Sequence, residues 1–94
     1  MKDGEHIEYF DSGDIWCKCN YLGGELHGEH IDYYSGGDIK CKCNYKDGKY
    51  HGECIYYYPG GEIFYKSCYI DGKGVIELEW ISYNRNIKLE LILL

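Results

Sequence analysis

Two pairs of cysteines, each pair separated by one residue, have the types and spacing best suited to chemistry in this sequence. Cys17 and Cys19 form the first pair, and Cys41 and Cys43 repeat it 24 residues later. Thiolates with such short spacings are common zinc ligands, and paired thiols also form disulfides. Whether the cysteines can bind zinc or form disulfides depends on how the strands that carry them are arranged.

A 24-residue repeat organises those strands. Gly-Glu-His-Ile begins at Gly4 and at Gly28, and Gly-Glu-Cys-Ile begins at Gly52. A regular period in this range is typical of a stacked array of small units. The sequence therefore predicts one domain over residues 1–94, with residues 76–94 forming a degenerate cap or an interface strand. The predicted repeats cover about residues 4–27, 28–51 and 52–75.

Apolar and polar residues alternate within each repeat, which predicts strands with one buried face. In the first repeat the strands would span about residues 5–10 and 14–21, with Ile7 and Cys17 among the inward, odd-numbered positions. A three-residue loop ending at Gly13 would join them. The predicted fold class is all-β: an elongated, twisted antiparallel sheet of consecutive β-hairpins, in a single layer or stacked.

In this arrangement equivalent strands of successive hairpins lie about 9.5 Å apart. Cys17 and Cys41 would then be too far apart for a disulfide or a shared zinc ion. We expect six free thiols, no metal and no cofactor. The odd-numbered cysteines would be small core residues, whereas Cys54 and Cys68 would face the other side.

Histidines offer no catalytic partner for the thiols in this interpretation. His6 and His30 recur at strand starts, and His27 and His51 recur at the glycine-rich links. Residues that repeat with the scaffold belong to the scaffold, whereas a catalytic site needs a unique constellation in one cleft. We therefore predict a protein that is not an enzyme, without catalytic or cofactor-binding residues.

The charge balance restricts the partners. The formal net charge is −6, and residues 1–64 carry 12 acidic against 6 basic residues. Such a surface repels nucleic acid and anionic lipid. The chain opens on polar residues and has no apolar run near the ~18 residues of a membrane span. We expect a cytoplasmic protein that does not bind nucleic acid, and the acidic charge disfavours membrane binding.

Aromatic residues form a candidate partner surface. Phe10, Tyr34 and Tyr58 share one repeat position, and Tyr56 stands beside the last of them. Their even numbers place them on the face opposite the predicted core. They would form a contact row for a protein partner, preferably a basic one; alternatively, the rings only cover the back of a thin sheet.

The end of the chain is a second candidate interface. Turn glycines are absent from residues 87–94, and the apolar residues stop alternating there. A strand in this segment would pair with a second copy or with a partner by β-augmentation. The alternative is that it folds back over the core, anchored by Trp80 and Tyr83. The candidate interface residues are Leu89, Leu91, Ile92, Leu93 and Leu94.

Residues 45–53 (YKDGKYHGE) and 57–63 (YYPGGEI) resemble the second, shorter subclass of MORN repeat, and the resemblance covers about residues 3–73. It implies a sheet of hairpins acting as a structural or protein-binding module. Similar repeats occur in bacterial antitoxin-like proteins and in large DNA viruses. A virion or host-interaction component, in the virion or the host cytoplasm, is one expectation. An antitoxin-like binder of one enzyme is the alternative, and lipid association is a weaker one.

Overall fold

The computed structural model describes the backbone of residues 3–93 and the side chains of residues 3–85. Alternating residues and glycine turns produce three hairpins of the same design, followed by one helix. The elements are β1 (Gly4–Tyr9), β2 (Ile15–Leu22), β3 (Glu25–Leu26), β4 (Gly28–Tyr33), β5 (Ile39–Lys46), β6 (Lys49–Tyr50), β7 (Gly52–Tyr57), β8 (Ile63–Ile70), β9 (Lys73–Val75) and α1 (Glu77–Leu93).

All strands belong to one antiparallel sheet in the order β1-β2-β4-β5-β7-β8-β9, with the short β3 and β6 paired to β2 and β5. Each strand therefore lies beside its neighbour in the sequence, as consecutive hairpins require. The described chain is elongated, with extents of 51 × 35 × 22 Å. Its radius of gyration is 15.4 Å, against about 12 Å for a compact domain of this length. The sheet is open, and the predicted antiparallel sheet of consecutive hairpins is confirmed.

The loop of each hairpin is the predicted three-residue turn. In the first, the Phe10 amide donates to the Asp14 carbonyl at 2.8 Å, and the Gly13 amide donates to the Phe10 carbonyl at 2.9 Å. Gly13 has a φ of 98°, a conformation that favours glycine because a side chain there would be strained. The loops ending at Gly37 and Gly61 repeat these contacts.

A β-bulge next to each loop makes one part of the sequence prediction wrong. Glu8 pairs with Cys17, whereas Tyr9 pairs with Ile15, so Trp16 is an extra residue without a partner. The extra residue shifts the register by one and reverses which positions share a face. Even positions of each first strand consequently lie beside odd positions of the second. Lys40 and Phe64 are the bulge residues of the later hairpins.

The sheet therefore has two faces of different composition. His6 lies opposite Cys19, and Ile7 lies opposite Lys18, and residues directly opposite each other share a face. We call the first side the cysteine face and the second the isoleucine face. The predicted common face for isoleucine and cysteine was wrong, because the bulge separates them.

Cysteine supplies nearly all of the buried apolar residues. All six cysteines are buried, and Ile31 is the other buried apolar residue among those whose side chains are described. Burial of Cys17, Cys19, Cys41 and Cys43 is confirmed. Small thiols suit a thin sheet because aromatic rings can close over them. The rings that pack on the cluster of Cys41, Cys43 and Cys54 belong to Tyr45, Tyr50, Tyr56 and Tyr69.

The C-terminal segment is a helix, so the predicted strand was wrong. Residues 77–93 contain neither glycine nor proline and are rich in leucine, glutamate and other residues that helices tolerate well. β-Augmentation through this segment would need extended backbone, which α1 does not provide. The side chains of the candidate interface residues Leu89, Leu91, Ile92 and Leu93, and all of Leu94, lie outside the described residues.

Helix α1 is attached to the isoleucine face near its start. Lys66 on β8 contacts the carboxylates of Glu53 at 2.6 Å and Glu77 at 3.0 Å. These two hydrogen bonds raise the pKa of Lys66 and keep it charged. The ring of Trp80 lies 5.4 Å from that of His51. Among the described residues, no helix combines the length and apolar character needed to cross a bilayer.

Ser67 is a serine at a repeat position that cysteine occupies in the first two repeats. We expect removal of its hydroxyl group to stabilise the protein. Ser67 occupies the position of Cys19 and Cys43 in the third repeat, and its hydroxyl oxygen is buried without a hydrogen-bond partner among the described residues. An unsatisfied buried hydroxyl costs ~1–3 kcal/mol. Ser67→Ala should therefore raise the free energy of unfolding in urea by ~1 kcal/mol.

The matched control is Ser35→Ala, which removes an exposed hydroxyl from a loop. It should change the free energy of unfolding by less than ~0.5 kcal/mol. Destabilisation by Ser67→Ala would show that the buried hydroxyl has a partner in solution.

Candidate functional site

Two groups of potential ligands lie on the cysteine face. Cysteines at positions i and i+2 of a strand point to the same side, so each pair projects together from β2 or β5. The sulfurs of Cys41 and Cys43 are 3.3 Å apart. The following hairpin adds a third ligand to each pair, and in both groups the ligand atoms lie within 4.8 Å of one another.

In the second group, Cys43 and Cys54 form a disulfide. Cys41 pairs with Tyr56, so the same register places Cys43 opposite Cys54, with Cα atoms 4.1 Å apart and an S–S distance of 2.01 Å. The prediction of six free thiols was wrong, because it assigned Cys54 to the other face. The disulfide links successive repeats because β5 and β7 are adjacent strands, which lie at half the distance that separates equivalent strands of successive hairpins.

The first group combines Cys17, Cys19 and His30. The Sγ atom of Cys17 lies 3.4 Å from Nε2 of His30, and both cysteines are free. His30 occupies the repeat position of Cys54, so the two groups are equivalent sites in successive hairpins. Two thiols and one imidazole form a set of soft ligands.

These thiols are poor nucleophiles. Burial raises the pKa of Cys17 to about 12, and the neighbouring Cys19, Asp32 and Glu8 add to the shift. Burial likewise raises the pKa of Cys41 and of Cys68. A reactive cysteine needs the opposite shift, towards the thiolate. Acyl or redox chemistry by an activated thiolate is therefore not what this environment favours.

Histidines in the glycine-rich links accept hydrogen bonds from backbone amides. Nδ1 of His51 accepts a hydrogen bond from the Asp71 amide at 3.1 Å, and Nδ1 of His27 accepts one from the Asp47 amide at 3.5 Å. Asp47 and Asp71 have positive φ, a conformation that needs local support in residues other than glycine. Both histidines have the scaffold role that their repetition predicts.

A cluster of aromatic rings is exposed at the end of the sheet formed by the third hairpin. Tyr58, Phe64 and Tyr65 have 54%, 54% and 55% of their surface exposed. Phe64 lies 5.1 Å from Tyr58 and 6.1 Å from Tyr56, between ring centroids, and Tyr65 lies 5.9 Å from Tyr56. We call Tyr56, Tyr58, Phe64 and Tyr65 the aromatic patch.

The structure brings two of the four predicted surface residues together. Tyr56 and Tyr58 belong to the aromatic patch, but Tyr56 packs against the buried cysteines, so its predicted position opposite them was wrong. Tyr34 is half-buried, and its hydroxyl donates to the Tyr57 carbonyl at 2.7 Å. Phe10 is half-buried and lies 6.4 Å from Trp16 in the first hairpin.

Sequence reasoning missed the contribution of the bulge position to this surface. Trp16 and Phe64 occupy it in the first and third repeats, and each lies beside the aromatic residue six positions earlier. In the second repeat Lys40 has its ammonium 5.9 Å from the centre of the Tyr34 ring. The only available signal was that each bulge residue directly precedes the first position of the cysteine pair, which Cys17, Cys41 and Tyr65 occupy in the three repeats.

The three hairpins match a known protein family. A family model described as a MORN repeat variant matches three consecutive segments, residues 2–22, 26–47 and 50–71. Each segment contains one of the three hairpins, which confirms the resemblance seen in the sequence. A search of curated proteins and a search of solved structures each returned no match.

Proposed function

This chain belongs to the MORN repeat variant family, and on that basis we propose that it is a binding module that contacts another protein through its aromatic patch. MORN repeats are generally non-enzymatic modules for interaction or scaffolding. The observation that supports this surface is the exposure of Tyr58, Phe64 and Tyr65, each more than half accessible in one contiguous cluster.

Such a cluster is suited to protein recognition. Tyrosine and phenylalanine contribute large contact areas at a small entropic cost, because each has only two side-chain torsions. The patch rings already contact one another, at centroid distances of 5.1–6.1 Å. They are thus partly ordered before binding, which reduces the free energy that binding spends on fixing them.

Charge narrows the class of partner. The chain carries a net charge of −6, so a partner with a basic rim around an apolar contact would be attracted and would associate faster at low salt. The buried thiols of high pKa support a non-catalytic role. The partner we expect is therefore a basic protein surface that offers an apolar pocket or strip to the patch.

We predict that Tyr58→Ser with Phe64→Ser weakens binding by at least about tenfold, or ~1.4 kcal/mol. The purified chain is used as bait in native lysate, enriched proteins are identified by mass spectrometry, and the affinity of each purified candidate is then measured. Because both side chains are exposed, the free energy of unfolding should fall by less than ~1 kcal/mol.

The matched control is Tyr9→Ser on β1, at the opposite edge of the sheet. Tyr9 is 59% exposed, so the substitution removes a comparable ring that lies outside the patch. It should leave the affinity unchanged. If the patch variant retains every partner at wild-type affinity, or if Tyr9→Ser weakens binding equally, the patch is not the binding surface.

A further inference from the structure

We propose that Cys17, Cys19 and His30 form a binding site for a zinc ion, outside the aromatic patch. Both thiols and the imidazole Nε2 belong to a group whose ligand atoms all lie within 4.8 Å of one another. Thiolate sulfurs and imidazole nitrogens bind zinc at about 2.3 and 2.0–2.1 Å. Small rotations of the side chains can therefore place three ligands around one ion.

The strands hold these ligands in place before any ion binds. Cys17 and Cys19 project from the same side of β2, and the pairing of Cys17 with Asp32 places His30 opposite Cys19 on β4. Two neighbouring strands fix all three backbone positions, so the site does not depend on a loop. Cys17 and Cys19 are 9% and 3% exposed, which protects the sulfurs while the half-buried imidazole remains within reach of solvent.

The electrostatic surroundings favour a cation. Glu8 and Asp32 stand directly opposite Cys17 on its two neighbouring strands. Binding removes one proton from each thiol, and both protons pass to the solvent. The two thiolates neutralise Zn²⁺, and the fourth tetrahedral position is filled by water or by one of the two carboxylates.

The equivalent group in the next hairpin explains why the first one remains available. There Cys54 stands at the position of His30 and is bonded to Cys43, which removes two of three ligands. Histidine cannot form a disulfide. With His30 at this position, Cys17 and Cys19 have no cross-strand thiol partner of this kind, and both thiols are free.

Cobalt provides the spectroscopic test. The full chain, with the Cys43–Cys54 bond intact, is titrated with Co²⁺ under argon and without reductant. We expect one equivalent to bind, with thiolate-to-cobalt charge transfer in the near ultraviolet and intense d–d bands of a tetrahedral site, and Zn²⁺ should displace it. The zinc affinity follows from competition with a chromophoric chelator.

Variants locate the ion. Cys17→Ser with Cys19→Ser should abolish the charge-transfer band, and His30→Asn should weaken zinc binding at least about tenfold, since one of three ligands is lost. The control is His27→Asn, in the glycine-rich link between the first two hairpins. Nδ1 of His27 accepts a hydrogen bond from the Asp47 amide, a role that the side-chain oxygen of asparagine can take, and His27 is outside the ligand group, so affinity should not change.

A measurement on the wild-type chain avoids dependence on variants that fail to fold. Zinc should slow the alkylation of Cys17 and Cys19 and leave the alkylation rate of Cys68 unchanged. Mass spectrometry monitors the reaction at each cysteine. The proposal is overturned by the absence of saturable Co²⁺ or Zn²⁺ binding, by equal effects of His27→Asn and His30→Asn, or by equal protection of Cys68. A site that binds Cu⁺ but not Zn²⁺ would also overturn the zinc assignment.

Discussion

Reduction of the Cys43–Cys54 disulfide is expected to lower the free energy of unfolding by ~2–4 kcal/mol. The bond joins the second and third hairpins across a sequence separation of 11 residues, so it restricts the unfolded chain. Cys54 is only 1% exposed. The measurement is urea unfolding of the full chain with and without reductant, under argon.

Thiol counting supplies the companion measurement. In denaturant without reductant, four thiols should react, corresponding to Cys17, Cys19, Cys41 and Cys68, and reductant should raise the count by two. The control is Cys43→Ser with Cys54→Ser, whose stability should not respond to reductant. Six reactive thiols before reduction, or a wild-type stability that reductant does not change, would contradict the prediction.

The hairpins were predictable because turn glycines and the alternation of apolar and polar residues determine the backbone structure locally. The three-residue loop ending at Gly13 needs a positive φ there, and that requirement repeats with the 24-residue period. Strand positions followed from the alternation of apolar and polar residues. Each of these signals lies within one repeat, so knowledge of how the strands pair was not needed.

The faces of the sheet were not predictable in the same way. One bulge residue per hairpin reverses the relation between odd and even positions. Trp16, Lys40 and Phe64 differ in size and charge, so their types give no common signal of a bulge. Cys54 and Tyr56 were consequently assigned to the wrong face, and both the disulfide and the grouping of Cys17 with His30 were missed.

Helix α1 was missed for a different reason. The many apolar residues of positions 87–94 fit a strand end as well as a helix, and the strand pattern that precedes them favours a strand. The helix begins at Glu77, where the loss of glycine and the acidic first turn are typical helix signals. Trp80 and Tyr83, the anchors of the fold-back alternative, both contact His51, but no local pattern identifies His51 as their partner.

The cysteine core and the exposed patch have a common physical origin. A thiol is too small to fill the space that a single-layer sheet leaves open, so tyrosines such as Tyr45 and Tyr50 cover the second repeat, with ring centroids 4.8 Å apart. In the third repeat Tyr65 replaces the first cysteine of the pair and is 55% exposed. Substitution of the small core residue by a large ring thus helps to form the binding surface we propose.

Replacement of Ile31 by alanine is expected to lower the free energy of unfolding by ~2–3 kcal/mol, near the low end for a buried isoleucine. Ile31 is 9% exposed and lies between Lys18 on β2 and Lys42 on β5 on the isoleucine face. The lysine stems are able to line its sides while the ammonium groups reach water. Strand β4 is hydrogen-bonded to a strand on each side, so it cannot move enough to close the cavity that the substitution leaves. Urea unfolding provides the value.

The matched control is Ile7→Ala, at the same repeat position on β1. This strand is at the edge of the sheet, and Ile7 is half-buried beside Lys18 only, so the cost should be about half as large. Neither substitution touches the aromatic patch, and both should leave partner affinity and the thiol count unchanged. Equal costs at the two positions would contradict the difference in burial between the central strand and the edge strand, and a cost below ~0.5 kcal/mol at Ile31 would contradict its burial.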